Sequence, residues 1–455
     1  MEKHVNFGSR MGAIFAAAGS AVGLGNIWRF PMLVGDNGGA AFILIYILSI
    51  LIVGIPIMVA EFVIGRHTQS NMIEAFHQLA PGKWWRIIGV MGIGVAFIIL
   101  SYYIVVSGWT LYYAFSSLRG ALTDSSCNYG AFFDDYVTNP WLSLLSAVLF
   151  MLMTHLIIIR GVRDGIEKCS KVLMPMLLLI IGILVVCTFS MPGINEGLTF
   201  LLKPDFSKLS FSVVLAAMGQ AFYSLSVAMG CLCTYASYFG HNTRLVSSAL
   251  SVSAIDTTVA ILSGFIIFPA VFSVPGVEAN AGPGLVFQTL PYVFNMAFGD
   301  VPFLAYIFSG LFYILLFLAA LTSAISLHES VTAYVHENWN ISRSKASTIV
   351  SVSAMSLGVF CCLSFGILNH WTVFGFTIFD LFDVVSSNII LPLGGVLLSL
   401  FVGWYLNREL VRKEITNDGQ VFQRIYPIIM FLLRWVAPIA ILTMFIKGIL
   451  EMLGK

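Results

Sequence analysis

The sequence predicts an all-α integral membrane protein with eleven transmembrane helices, and two observations support this fold class. First, 58% of its 455 residues are hydrophobic, only 10% are charged, and the mean hydropathy is +0.92. Soluble proteins carry about a quarter charged residues, so a water-soluble fold could not bury this much apolar surface. Second, apolar stretches of about 20 residues recur along the chain, which is the length that a helix needs to cross a bilayer.

The eleven predicted spans follow one another through short loops. They cover residues 10–35, 40–65, 87–118, 141–159, 167–189, 210–238, 244–272, 302–335, 345–366, 374–404 and 422–450. The third, eighth and tenth are long enough to be tilted in the membrane. After the seventh span, residues 276–300 contain no Lys or Arg and have an apolar face of their own. This segment is interpreted either as an outer lid or as a re-entrant or packed loop.

Basic residues in the loops predict the orientation of the chain. With the N-terminus inside, most Lys and Arg residues fall in cytoplasmic loops, as the positive-inside rule requires. The N-terminus is therefore predicted to be cytoplasmic and the C-terminus outside, because eleven is an odd number of spans. The charged start of the chain is interpreted as the beginning of a retained first helix, since no clear signal-peptide cleavage site follows it. The net charge of +1 gives no indication of nucleic-acid binding.

The motif SAVGLGNIWRFP interrupts the first span. Gly23 and Gly25 weaken a helix interior, and Asn26 and Arg29 are costly in lipid. Broken helices survive in membranes only inside protein or around a cavity, where the freed carbonyls and amides can hold cations and carboxylates. The motif is therefore interpreted as a binding site for a cation and for an anionic group. A packing face of glycines four residues apart is the alternative, and the motif alone does not exclude it.

The sixth span contains a similar interruption, GQAFYSLSVAMG, at residues 219–230. Spans one and six begin two sets of five helices, residues 10–189 and 210–404, within a single transmembrane domain, 1–455, that ends in a peripheral helix, 422–450. Polar interruptions at matching positions of two halves indicate a binding site at the interface of an inverted repeat. The evidence for this repeat is positional and does not include residue identity.

Two further spans carry polar residues at mid-membrane positions. Asp256 in the seventh span is costly in lipid unless a cation or hydrogen bonds offset its charge, so it is either a cation ligand or a structural aspartate. In the eighth span, Ala319, Thr322 and Ser323 share one helix face, where a carbonyl and two hydroxyls could ligate sodium. The alternative is that both hydroxyls bond back to their own helix.

Several motifs in order carry a family resemblance. They are GSAVGLGNIWRFP, NGGAAFILIYILSILIVGIPIMVAEFVIGR, TYASYF, GPGLVFQTLP and LTSAIS. With them the chain resembles the neurotransmitter:sodium symporter family, in its bacterial amino-acid branch, from Arg10 to about residue 450. The resemblance implies a LeuT-like fold with discontinuous first and sixth helices. It also implies a symporter of the bacterial cytoplasmic membrane, not an enzyme, that imports an L-amino acid by alternating access.

The resemblance implies two Na⁺ sites and a substrate site. The first Na⁺ site would use the Ala21 carbonyl, the side chains of Asn26, Ser224 and Asp256, and the substrate carboxylate. The second would use the carbonyls of Gly19, Val22 and Ala319 and the hydroxyls of Thr322 and Ser323. The substrate would contact Ala21, Leu24, Gly25, Ile99, Tyr103, Tyr223, Ser224, Ser226, Met229, Ser323 and Leu327.

Four positions refine this expectation. Monoamine-transporting relatives carry an aspartate at Gly23, so a glycine there favours a substrate with its own carboxylate. Ala260 stands where chloride-dependent relatives have a serine, and Asp256 stands where the family often has an asparagine. We therefore expect the Asp256 charge to make transport chloride-independent. Ala228 replaces a usual glycine, which leaves the pocket size open.

The outer gate is predicted to pair Arg29 with Asp383, beneath which Tyr103 and Tyr223 cover the substrate. Asp380, one turn earlier, is the competing partner of Arg29. The choice of Asp383 rests on the motif LFDVV, which resembles the gate segment of the family.

The inner gate is predicted to involve Glu337, which would pair with Lys3 or His4 near the N-terminus. Gly165 and Pro175 flank nine residues at the start of the fifth span, and similar transporters unwind this segment. The alternative is an ordinary helix start with a proline kink.

Other functions fit the sequence less well. A channel would show filter loops or pore-lining rings, and the sequence contains no repeated filter. A membrane enzyme would need a cluster of ligand-spaced residues, which His155, His328, Glu61 and Glu329 do not form. A receptor without transport is a third alternative. The expected partners are a small, hydrophobic or aromatic amino acid and membrane lipid, without nucleic acid, and the protein is expected to be a monomer or a weak homodimer.

Overall fold

The computed structural model describes residues 6–123, 127–276, 284–298 and 301–452. Within these ranges the chain folds into helices and forms no β-sheet. The helices are α1 (Arg10–Ala21), α2 (Gly25–Asp36), α3 (Ala40–Thr68), α4 (Met72–Leu79), α5 (Arg86–Leu118), α6 (Tyr129–Thr138), α7 (Pro140–Ile158), α8 (Val162–Thr188), α9 (Ile194–Leu202), α10 (Phe211–Ser224), α11 (Cys231–Ser237), α12 (Leu245–Phe272), α13 (Leu290–Ala297), α14 (Pro302–Trp339), α15 (Arg343–Leu363), α16 (Ile378–Tyr405), α17 (Arg408–Thr416) and α18 (Tyr426–Leu450).

Nine helices in the described ranges are long and apolar enough to cross a membrane, and the pair α1 and α2 makes ten if it counts as one bent span. The two members of this pair meet at an angle of 54°. The helices α10 and α11 have 14 and 7 residues, so neither crosses alone. The predicted all-helical, multi-span fold is confirmed, and the number of eleven spans stays a prediction.

The break between α1 and α2 has a local cause in the backbone. Val22 leaves helical geometry with φ −71° and ψ 110°, while its N–H still donates to the Ala18 carbonyl. The Gly23 N–H then donates to the Asn26 side-chain oxygen at 3.0 Å. The helix resumes at Gly25 in a single π-helical turn. Val22 and Gly23 thus lie outside helical geometry in the middle of an apolar segment, and the Asn26 side chain replaces the helical acceptor of the Gly23 N–H.

The break between α10 and α11 depends on a buried carboxylate. Ser226 and Ala228 have φ values of 51° and 64°, in the left-handed region that costs a non-glycine residue about 1–2 kcal/mol. Glu61 of α3 is fully buried and accepts hydrogen bonds from the backbone N–H groups of Ala228 and Cys233. This carboxylate therefore satisfies donors that the break leaves without helical partners. No local feature of the sequence specified this contact of Glu61.

The described part of the predicted lid, residues 284–298, packs against the two longest helices, α5 and α14. The Tyr113 and Tyr313 hydroxyls donate to the carbonyls of Phe287 and Val286, both at 2.8 Å. Phe287 is fully buried. This part is a packed segment, and residues 277–283, 299 and 300 lie outside the described residues.

The segment between Gly165 and Pro175 is helical in this structure. Gly165 lies in a π-helical turn that forms the first part of α8, and Pro175 lies inside that helix. Glu167 of the same turn accepts hydrogen bonds from the Gly8 N–H at 2.6 Å and the Ser9 hydroxyl at 2.9 Å. The predicted unwinding is therefore absent from this conformation and stays a prediction for another one.

Glu414 of α17, which is not a membrane-spanning helix, pairs with the end of α3 and predicts how stability depends on pH. Arg66 donates to the Glu414 carboxylate at 2.6 Å, and His67 lies 3.1 Å from the other carboxylate oxygen. Burial raises the pKa of Glu414, but the hydrogen bond from His67 and the charge of Arg66 lower it more, so the pKa lies below 4.5. The stabilisation is present above the unfolded pKa and is lost as pH falls through the folded pKa.

We therefore expect Glu414→Gln to lower the thermal stability of the purified protein at pH 7, by roughly 1–3 kcal/mol. The difference from wild type should shrink as pH falls below about 4.3. Thermal melting between about pH 3 and 8 measures it, with Glu409→Gln as the control because that carboxylate is 74% exposed on the same helix. An equal loss in both variants would contradict the assignment.

Candidate functional site

The first predicted ligand set converges at the break in α1 and α2. The Asn26 amide donates to the Ser224 hydroxyl at 3.0 Å and to the Asp256 carboxylate at 2.7 Å. The Ser224 hydroxyl lies 3.0 and 2.9 Å from the two carboxylate oxygens of Asp256. Asn26 and Asp256 are fully buried, and Ser224 is nearly so. Three side chains from three separate helices thus form one buried oxygen-rich cluster, which is called the first oxygen cluster.

Tyr46 belongs to the same cluster and was not predicted. Its hydroxyl lies 3.2 Å from the Ser224 hydroxyl and 3.4 Å from the Asp256 carboxylate, and the residue is fully buried. In the sequence Tyr46 lies inside the apolar run AFILIYILSI, where a tyrosine is ordinary core packing. A single sequence offers no signal that distinguishes it from its neighbours.

The second predicted ligand set converges where α1 ends against α14. The Ser323 hydroxyl lies 3.0 Å from the Val22 carbonyl and 3.5 Å from the Gly19 carbonyl. The Thr322 hydroxyl lies 3.4 Å from the Val22 carbonyl and 3.0 Å from the Ala319 carbonyl. Thr322 therefore bonds to its own helix and also faces the end of α1, and its role as a sodium ligand stays a prediction. These five groups are called the second oxygen cluster.

A central cavity lies between the two clusters. Every residue that the resemblance assigned to the substrate lines it. They are Ala21, Leu24, Gly25, Ile99, Tyr103, Tyr223, Ser224, Ser226, Met229, Ser323 and Leu327. Ser20, Gly23 and Cys231 also line the cavity and were not predicted as contacts. Ser20 and Cys231 are small residues next to the breaks, and nothing in their local sequence marks them as lining residues.

Glycines let the backbone approach the cavity closely. A Cβ atom at Gly23 would lie 2.5 Å from the Ser323 hydroxyl oxygen and 3.2 Å from the Tyr103 hydroxyl. A Cβ atom at Gly25 would lie 3.2 Å from the Tyr223 ring. The Leu24 N–H points to the Tyr103 hydroxyl at 3.4 Å. The Leu24 amide and the Tyr103 hydroxyl therefore meet at the wall of the central cavity, next to the start of α2, a position that suits a carboxylate.

The predicted outer-gate residues lie around an outer cavity of about 980 Å³, which Arg29, Asp380 and Asp383 line together. Arg29 and Asp383 are not paired in this structure. The Arg29 guanidinium instead lies 4.5 Å from the centre of the Tyr223 ring. Asp383 accepts hydrogen bonds from the hydroxyls of Tyr102 and Ser387, both at 3.0 Å. Their pairing stays a prediction for a closed state.

On the opposite side, the structure gives Glu337 an uncharged partner. Its carboxylate accepts hydrogen bonds from the backbone and side chain of Asn71, at 2.9 and 2.6 Å. The predicted partners Lys3 and His4 lie outside the described residues. A buried ion pair nearby was not predicted: Glu329 of α14 pairs with Arg343 of α15 and accepts from the Tyr238 hydroxyl.

Comparison with known proteins decides the family. A sequence model described as "Sodium:neurotransmitter symporter family" matches residues 4–147 and 141–454. The chain belongs to this family. The predicted family is thereby confirmed, and the symporter is a sodium-dependent membrane transporter, not an enzyme.

Individual relatives agree with this assignment. The symporter is 38% identical to the uncharacterized sodium-dependent transporter YhdH of Bacillus subtilis (strain 168) over 454 residues, which is 99% of each chain. It is 27% identical to the sodium- and chloride-dependent taurine transporter of Bos taurus, over 84% of this chain and 68% of that protein. It also matches the crystal structure of MhsT in complex with L-phenylalanine, with a TM-score of 0.89, 43% identity, and coverage of 98% of this chain and 99% of that one.

Proposed function

We propose that this symporter couples the inward movement of two Na⁺ ions to the import of a hydrophobic or aromatic L-amino acid, without a need for chloride. The observation that carries the proposal is one central cavity with an oxygen cluster on each side, built around breaks in two helical segments. Freed backbone groups and hard oxygen ligands beside an otherwise apolar cavity are what an alkali cation and a zwitterion require.

The residues of both clusters fit Na⁺. The first offers the side-chain oxygens of Asn26, Ser224 and Asp256, and in this proposal the Ala21 carbonyl and the substrate carboxylate would complete the ligand set. The second offers three carbonyls and two hydroxyls, from Gly19, Val22, Ala319, Thr322 and Ser323, with no charged residue. Bound Na⁺ would supply positive charge beside the substrate carboxylate and beside the end of α1. Asp256 supplies the fixed negative charge that makes chloride unnecessary in this proposal.

The amino acid would contact a polar part and an apolar part of the central cavity. Its carboxylate would face the amides of Leu24 and Gly25 and the Tyr103 hydroxyl, in the space that Gly23 leaves. Its amine would face carbonyls around Ala21, Tyr223 and Ser226. Its side chain would lie among Ile99, Met229 and Leu327. The L-phenylalanine bound to MhsT, a protein of 43% identity, supports an aromatic or large apolar side chain.

The proposed topology has eleven spans, in which α1 with α2 and α10 with α11 are the interrupted first and sixth. Two sets of five form an inverted repeat and α18 is peripheral. The N-terminus would be cytoplasmic and the C-terminus outside, in a bacterial cytoplasmic membrane. Arg29 with Asp383 would close the outer side, while Glu337 and an unwound Gly165–Pro175 segment would open the inner side.

Coupling to two ions accounts for concentrative uptake. Two Na⁺ ions with a neutral zwitterion move two charges, which at 100 mV is worth about 4.6 kcal/mol, from roughly 2.3 kcal/mol per charge. Voltage alone could then sustain accumulation on the order of a thousand-fold.

Uptake into proteoliposomes tests the proposal. An inward Na⁺ gradient should drive saturable uptake of one or a few of the twenty amino acids, and replacing chloride with gluconate should leave the rate within about two-fold. Uptake that does not saturate would favour a channel. Binding without uptake would favour a receptor. Collapse in gluconate would remove the role given to Asp256.

Tyr103→Phe tests the carboxylate contact. Removing one hydrogen bond to a charged group costs about 1.5–3 kcal/mol, so we expect the half-saturating substrate concentration to rise roughly 10- to 100-fold. The Na⁺ dependence should change less, because the hydroxyl belongs to neither oxygen cluster. The buried Tyr113→Phe, whose hydroxyl bonds the Phe287 carbonyl, is the matched control, with an unchanged substrate concentration dependence expected.

A further inference from the structure

A third cavity lies beside the central one, between α2, α10, α16 and α18. It is called the side cavity and contains about 910 Å³ of space between atoms, part of which is open to solvent. Tyr223 is the one residue that the linings of the side and central cavities share in the described chain. Arg29 lines both the side cavity and the outer cavity, so its guanidinium can bind an anionic group in either cavity.

The charges of the two outer spaces differ. The described lining of the side cavity contains two cationic residues, Arg29 and Lys447, and no carboxylate. Asp380 and Asp383 both line the outer cavity. The Lys447 ammonium group donates to the Ser212 hydroxyl at 2.8 Å, which joins α18 to α10 beside the side cavity. The side cavity therefore attracts anions, while the outer cavity carries more acidic than basic groups.

Arg29 lacks an anionic partner in the part of the chain that the structure describes. It is partly buried, no described carboxylate lies within 4.0 Å of it, and its guanidinium rests on the Tyr223 ring. A cation–π contact is worth about 0.5–2 kcal/mol and leaves the five N–H donors of the guanidinium without acceptors. A guanidinium at this depth needs an anion or water.

The rest of the side cavity is largely apolar. Leu33, Leu215, Phe222, Leu391, Pro392 and Met444 line it. Met444 of α18 faces α10, since a Cβ atom at Gly219 would lie 3.7 Å from the Met444 methyl carbon. Asn388, Ser387 and Tyr223 add polar side chains beside the two cations. A ligand that fits this lining has one oxyanion and one apolar chain.

We propose that the side cavity binds an amphiphilic anion, with its carboxylate or phosphate on Arg29 and its apolar chain between α10 and α18. The planar guanidinium suits an oxyanion because it can donate two parallel hydrogen bonds. Such a ligand competes with Asp383 for Arg29 and so slows transport. This consequence rests on the proposed outer gate, whereas the binding itself does not.

A photoreactive decanoate tests the binding without any transport. The full-length protein in neutral detergent is labelled, and the labelled peptides are identified by mass spectrometry. We expect label on α10 and α18, competed by decyl phosphate and not by decanol or decyltrimethylammonium. Equal competition by decanol, or label spread over all lipid-facing helices, would overturn the proposal.

Two tryptophan substitutions on α18 locate the site. Met444→Trp fills the side cavity and should lower labelling at least five-fold, while Ile446→Trp, at a position 51% exposed on the same helix, should leave labelling within two-fold. Lys447→Gln keeps the packing and should lower labelling too, which covers the case in which Met444→Trp fails to fold. Unchanged labelling in folded Met444→Trp would reject the site.

The source of the natural ligand can be separated in the same samples. Lipids that co-purify with the wild type are extracted and compared with those of Met444→Trp. Loss of an acidic phospholipid identifies a lipid head group, whereas decanoate labelling without such a lipid identifies a free carboxylate. Both outcomes support the site. Labelling needs neither Na⁺ nor an amino acid. Failed labelling would therefore reject the side-cavity site without contradicting the proposed symport. Failed uptake would reject the proposed symport without contradicting the side-cavity site.

Discussion

Asp256→Asn is expected to lower the apparent Na⁺ affinity of uptake by about a thousand-fold. Asparagine keeps the size of the side chain and its ability to contact Asn26 and Ser224, so the variant removes mainly the charge. A unit charge about 4 Å from a cation is worth about 4 kcal/mol at an effective dielectric constant of 20. The rate of uptake as a function of Na⁺ concentration measures the effect.

Two comparisons make this result specific. Asp205→Asn removes a fully solvent-exposed carboxylate that bonds its neighbour Ser207, and it should leave the Na⁺ dependence unchanged. Thermal melting of Asp256→Asn in Na⁺-free buffer should show a folded protein, since every hydrogen-bonding position of the cluster keeps a polar group. An unaltered Na⁺ dependence in a folded variant would mean that Asp256 is a structural aspartate.

Gly23→Ala is expected to reduce uptake at least a hundred-fold. The added Cβ would lie 2.5 Å from the Ser323 hydroxyl oxygen, so either Ser323 or the end of α1 must shift. Ser323 bonds the Val22 carbonyl at 3.0 Å, and the shift would therefore separate members of the second oxygen cluster. A misplacement of about 1 Å at a binding site can cost a hundred-fold in rate. The same methyl group would also occupy the space proposed for the substrate carboxylate.

Gly94→Ala provides the matched control for this change. Gly94 lies in the middle of α5, and a Cβ atom there would meet no atom within 4 Å. Alanine should be tolerated or slightly stabilising, by roughly 0.5–1 kcal/mol, with uptake within two-fold of wild type. Retention of uptake in Gly23→Ala would contradict the crowding, and equal loss in both variants would point to a general intolerance of helix changes.

The sequence by itself predicted the helices and the breaks, because both are local properties. Length and apolarity of each run indicate a membrane helix, and Gly23 and Gly25 beside Asn26 indicate where one stops. The motifs then identified the family. The resemblance to that family also grouped eleven of the residues that line the central cavity, which lie up to 306 positions apart, from Ala21 to Leu327.

Only the tertiary structure decided which partner each polar side chain finds. Tyr46 looks like core packing in its own segment and joins the first oxygen cluster only because α3 packs beside α10 and α12. The Arg29 guanidinium lies over the Tyr223 ring and does not pair with Asp383. The Glu61 carboxylate accepts a hydrogen bond from the Ala228 N–H, which lies 167 residues away in the chain, at the break between α10 and α11. Helix formation depends on neighbours within a few turns, whereas the partner of a long or buried polar group depends on contacts between distant segments. A single sequence carries no local signal for those contacts.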